Sequence, residues 1–204
     1  MIRKIVYLMV AVASIHFLID AALPKLIVSE EVYGAYYWPK APWLFAHVLT
    51  GLVAILIGWY QFIPKLRAAK PQLHRVLGRV YSIGIIVSAI TGVYLAAYSG
   101  FNLVGKISLG IVPFIWLSTV LFGYYAIIKR QMAQHQEWMA RSYVVTFFFI
   151  VFVILSKYLP YEYFGTYAET MPLISWFSWS IPLFVYELLL QSQKMKNTNR
   201  QMEY

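Results

Sequence analysis

Six long apolar runs, at roughly 5–23, 43–63, 76–98, 107–128, 140–159 and 171–190, alternate with short polar segments along the chain. Each run holds about 20 residues, enough for about 30 Å of helix, the thickness of a bilayer core. Hydrocarbon offers no partner to a backbone N–H or C=O, so a spanning segment must satisfy these groups within itself. The runs also lack the period-2 alternation of a membrane barrel. The pattern therefore predicts an all-α, polytopic membrane helix bundle with six transmembrane helices. It forms one domain over 1–192 and leaves a polar tail at 193–204 that is expected to fray. Pro182 is expected to kink the sixth run. The first run follows MIRK and resembles a signal-peptide core, yet it carries His16 and Asp20, so it reads as the first membrane helix.

Composition agrees: 61% of the residues are apolar and 12% are charged, about half the charged fraction of a soluble domain. The net charge of +9 would suit a nucleic-acid partner, but its distribution gives a simpler account. Thirteen of the 17 Lys and Arg residues fall on the side of the two termini. Only Lys25, Lys40, Lys106 and Lys157 fall on the other. By the positive-inside rule both termini are expected in the cytoplasm and the protein in the cell membrane, with the lipid bilayer as its partner and no nucleic acid. There are no cysteines, which excludes disulfides, iron–sulfur clusters and covalently attached haem. The non-terminal loops are rich in Tyr and Trp, as at YGAYYWPKAPW (33–43). That is expected of an interfacial belt, with a substrate lid as the other reading.

The polar residues inside the runs carry the chemistry. His47, Gly51, Ala54, Gly58 and Gln61 form one helical stripe on the second run. His74, Gly78, Tyr81, Ile85, Ser88 and Gly92 form another on the third. Small residues let membrane helices approach closely. They also clear space for a flat macrocycle when a histidine shares the stripe, and neutral imidazole is a common iron ligand. HRVLGRVY at 74–81 and HQEWMARSY at 135–143 open the third and fifth runs on the same side and align after one inserted residue. Both supply an imidazole, a guanidinium and a tyrosine. The candidate cofactor-binding residues are therefore His16, His47, His74, His135, Arg75, Arg79, Arg141, Tyr81, Tyr143, Gly51, Gly58 and Gln61. The four histidines are the candidate metal ligands, and the arginines are candidates for propionate carboxylates. Arginines at this depth also serve as plain interfacial anchors. His16 and Asp20 lie four apart on one helix face, and Glu187 is expected to meet one of the arginines on the terminal side.

The stretch HVLTGLVAILIGWYQFIPKLRAAKPQLHRVLGRVY, followed by HQEWMARSYVVTFFF, resembles a family of bacterial multi-pass membrane proteins known as domain of unknown function 2306. The resemblance covers about residues 43–160 and rests on three motifs in order. These are His47, Gly51, Gly58, Gln61 and Phe62; His74, Arg75, Gly78, Arg79 and Tyr81; and His135, Trp138, Met139, Arg141, Ser142 and Tyr143. Gln136 stands where the family pattern has Arg. Histidines at both membrane faces are distantly similar to two-haem transmembrane cytochromes b. The resulting expectation is a b-type haem protein for electron transfer, a membrane oxidoreductase with a quinone or other redox partner. His74 and His135 would hold an inner haem, and His47 with His16 an outer one. A proton-coupled permease and a lipid-binding subunit are the alternatives. No Ser–His–Asp arrangement, HExxH, P-loop or dinucleotide fingerprint occurs.

Overall fold

The computed structural model describes residues 2–202; Met1 of the first predicted span and Glu203 and Tyr204 of the tail lie outside the described residues. The described residues fold entirely into helices and turns. In chain order these are α1 (Ile2–Phe17), α2 (Glu30–Tyr37), α3 (Ala41–Gln61), α4 (Pro64–Ala69), α5 (Pro71–Ala97), α6 (Leu103–Ile128), α7 (Met132–Thr146), α8 (Phe148–Tyr158) and α9 (Tyr167–Met202). Six helical stretches are long and apolar enough to cross a membrane. They coincide with the six predicted runs, with α7 and α8 together making the fifth. Each spanning helix starts earlier than the apolar pattern marks, and two of these shifts take in a histidine. α5 begins at Pro71 and α7 at Met132, so His74 and His135 sit on the first turns of their helices rather than in loops.

The centre is a ring of four: α3 packs on α5, α5 on α6, α6 on α7, and α7 back on α3. α5 and α7 thus face each other across the ring. Its shared core is Ala54, Tyr81, Ile85, Val112, Trp116, Val120, Val145 and Phe148. Small residues set the spacing of α3 and α5: a Cβ on Gly84 would lie 3.1 Å from the Thr50 carbonyl oxygen. Exposed Leu, Ile and Phe side chains such as Ile83, Phe114 and Phe184 cover the outside, as a lipid-facing surface requires.

α9 lies against α6, α7 and α8, tied by Ser108 Oγ donating to the Pro172 carbonyl at 2.8 Å. The helix runs past the start of the polar tail and continues to Met202. Lys194 pairs with Glu137 of α7 at 2.8 Å, and Gln191 donates to Glu187 one turn back at 2.6 Å. These side chains support the last turns in place of apolar contacts. At the opposite end, α2 is broken at Gly34, whose φ of 70° and ψ of 161° only glycine adopts readily. This bend lets Tyr37 turn in over the ring, so part of the aromatic loop closes a cavity.

α1 docks on α8 at the non-terminal end through a polar clasp. Asp20 Oδ2 lies 3.0 Å from both His16 Nδ1 and Lys157 Nζ, and Tyr158 Oη lies 2.8 Å from His16 Nε2. Asp20→Asn is expected to weaken the clasp and speed hydrogen exchange in α1 while leaving α5 and α6 unchanged. Unaltered exchange in α1 would mean the clasp does not hold the helix.

Candidate functional site: two cavities and the plug between them

The ring encloses two cavities at different depths. One opens toward the end that carries both termini and measures about 790 Å³. His74, Arg75, Gly78, Arg79 and Tyr81 of α5 line it, with His135 of α7, Gly58 and Gln61 of α3, and Arg67 of α4. The other lies toward the opposite end, measures about 170 Å³, and is lined by His47, Ser88, Gly92, Trp116 and Phe149 among others. The sequence pairs the histidines as outer and inner couples. The structure brings together only the second couple, His74 and His135, on facing helices.

His135 is oriented by its own fold. Its Nδ1 lies 2.8 Å from the Gly123 carbonyl of α6, so Nδ1 carries a proton and donates, which leaves Nε2 as the nitrogen able to serve as a ligand. His74 is buried at Nδ1 with no hydrogen-bond partner. Gln61, only 8% exposed, likewise has an unpartnered Nε2. A buried polar atom without a partner is costly. Both residues belong to the wall of the same cavity, with these two atoms turned away from its water-accessible space.

The arginines divide. Arg141 does not line the cavity: it makes a bidentate contact to Glu187 of α9, with Nη2 at 2.8 Å and Nε at 3.0 Å, and stacks on Trp138. This answers the expected search of Glu187 for an arginine and takes Arg141 away from any ligand. Among the described residues Arg67, Arg75 and Arg79 pair with no carboxylate. The nearby acids Glu137 and Glu187 are engaged by Lys194 and Arg141.

The glycines divide too. A Cβ on Gly58 would overlap the Tyr143 ring, and one on Gly51 would touch Ser88 Oγ at 3.4 Å. Both therefore serve helix packing. Gly78, unlike these two, faces open space, with nothing within 4 Å of a Cβ.

His47 and His16 are apart. His47 Nδ1 donates to the Ser88 carbonyl at 2.9 Å, and Ser88 Oγ donates back to the His47 carbonyl at 3.2 Å. Gly92 comes so close that a Cβ would lie 3.1 Å from His47 Cε1. His16 belongs to the α1–α8 clasp and lines neither cavity. Among the described residues, no three His, Asp or Glu side chains gather to hold a metal ion.

Between the cavities lies a plug. Tyr81 Oη is 3.0 Å from Ser142 Oγ and 3.3 Å from Thr146 Oγ1. Trp116 Nε1 donates to Thr146 Oγ1 at 2.9 Å, and Thr146 donates to the Ser142 carbonyl at 2.9 Å. All four side chains are at most 2% exposed. The two repeat tyrosines meet here. Tyr143 donates to the Ile55 carbonyl at 3.1 Å, and Tyr143 and Tyr81 both border the space above Gly58.

Sequence reading passed over Trp116 and Arg67. The fourth run has no histidine, so it offered no candidate ligand. Its signal was a tryptophan far from either interface, whose buried N–H needs a partner. Arg67 counts in the sequence only as one of the thirteen basic residues on the terminal side, yet the short helix α4 turns it onto the cavity.

A family model described as "Predicted membrane protein (DUF2306)" matches residues 44–190. No curated protein and no solved structure matches the chain.

Proposed function

From the premise that the chain belongs to the domain of unknown function 2306 family of membrane proteins, we propose that it is a b-type haem protein with a single haem in the larger cavity. The observation that carries this reading is the placement of His74 and His135 on facing helices of one cavity of about 790 Å³. That volume falls within the ~300–1,000 Å³ of ordinary cofactor pockets. The Nδ1 donor bond that orients His135 and the clear space at Gly78 fit a flat group between two imidazoles. The smaller cavity, at about 170 Å³, falls below the range, and His16 lies elsewhere, so the reading is confined to one haem.

In this role His74 and His135 would hold the iron, and Tyr81 would close the cavity toward the plug. Bound haem would supply one-electron transfer. The apolar shell from α6 and α7 would exclude water and tune the potential. The basic asymmetry of the loops supports a cytoplasmic position in the cell membrane for the terminal end, and with it for this cavity. A permease is less well supported, because the plug separates the two cavities. A lipid-binding role would use the same arginines for an anionic headgroup.

Purification after expression with ample haem supply tests the proposal. A Soret band and a dithionite-reduced α band are expected. His74→Ala and His135→Ala should each abolish the bis-imidazole spectrum, while His47→Ala should leave it in place. A colourless, iron-free preparation would remove the haem reading and leave the lipid one.

A further inference from the structure

The wall of the larger cavity is divided by chemistry. α3, α4 and α5 supply every guanidinium on it and the Gln61 amide. α6 supplies Tyr124, Ile127 and Ile128. The polar corner is unsatisfied within the protein. Gln61, 8% exposed, has its Nε2 donor unpartnered, and Arg67, Arg75 and Arg79 meet no carboxylate among the described residues. All these groups are donors, and three of them carry positive charge. Arg75 and Arg79 are exposed and Arg67 half-buried, so an apolar guest would strip water from them without replacing it, and a cation would be repelled. What satisfies them is a set of anionic acceptor oxygens.

We infer that the α3–α4–α5 corner is a carboxylate cradle that fixes the orientation of a tetrapyrrole. Its acid edge lies against Gln61, Arg67, Arg75 and Arg79, and its hydrocarbon edge against α6. The inference rests on the haem reading for the identity of the guest. It gives Gln61 the role of a donor, adds Arg67 as a charge, and removes Arg141. The Arg forks give the cradle geometric selectivity that lysines would lack.

Protoporphyrin IX separates the two readings, because it carries both acid groups and no iron. Titrated by fluorescence into the purified full chain in detergent, the diacid is expected to bind at least about tenfold more tightly than its dimethyl ester. The preference should weaken with added salt. Gln61→Leu and Arg75→Met should each reduce affinity for the diacid several-fold and leave the ester unchanged. Arg75→Lys should fall between Arg75→Met and the parent, and Lys129→Gln, outside the cavity, should change neither ligand. Thermal unfolding of each variant identifies any that fail by misfolding. Equal affinity for diacid and ester, or no binding of the diacid, overturns the cradle even if haem is bound. A retained diacid preference in a protein that shows no bis-imidazole spectrum removes iron ligation and keeps the cradle.

Discussion

Trp116→Ala is expected to destabilise the protein by about 3–5 kcal/mol, the range for truncating a buried aromatic side chain. Trp116 is 2% exposed and belongs to the core shared by the four-helix ring. Lipid tails are as apolar as the core, so the loss here is mainly packing and the hydrogen bond, not transfer from water. Removing the indole leaves a void between the two cavities and orphans part of the Tyr81–Ser142–Thr146 cluster. Thr146→Val keeps the volume and removes the hydroxyl that accepts from the Trp116 N–H, meets Tyr81 Oη and donates to the Ser142 carbonyl. It should cost less, about 1–2 kcal/mol, near the upper end of measured membrane hydrogen bonds. Unfolding titrations in mixed micelles would rank the two variants. A loss below about 1 kcal/mol for Trp116→Ala would show that α6 can collapse onto α5 and α8, and that the plug is not a rigid partition.

Gly58→Ala should cost about 1–3 kcal/mol, the usual price of overpacking. The added methyl would overlap the Tyr143 ring and approach Tyr81 Cε2 to 3.1 Å. Tyr143 cannot simply swing aside, because its hydroxyl donates to the Ile55 carbonyl and its ring stacks on Phe62 with centroids 5.1 Å apart. Gly78→Ala is the contrast. Nothing lies within 4 Å of its Cβ, and alanine is the better helix former, so a gain of up to about 1 kcal/mol is expected. Equal responses from the two glycines in a thermal-melt comparison would contradict the packing described for Gly58.

Why the sequence reveals the spans so well and the site less well follows from the physics. A run of about 20 apolar residues has one stable outcome in hydrocarbon, so all six helices are legible. Stripes are also legible, because a helix face is a matter of spacing. The stripes through His47, His74 and His135 do turn inward on the ring. Partnership between stripes is not written in spacing. His16 and His47 lie at the same membrane face, yet Asp20 and Tyr158 draw His16 to the rim of α8. Arg79 and Arg141 occupy matching places in HRVLGRVY and HQEWMARSY. Only one reaches the cavity, because α7 packs on α9 and Glu187 is there to receive Arg141. The repeat sets depth, and the neighbouring helix sets direction.

The plug also has an electrical meaning. Moving one elementary charge through a membrane potential is worth about 2.3 kcal/mol per 100 mV, and the voltage falls where mobile charge and water are absent. Here that region is the layer of Tyr81, Trp116, Ser142 and Thr146, none of which carries a net charge. The larger cavity, open toward the terminal end with its arginines, therefore shares the potential of that aqueous phase. A charge gained or lost by a guest there would cross little of the field. Its equilibrium would follow the chemistry of one compartment and be nearly indifferent to the energisation of the membrane.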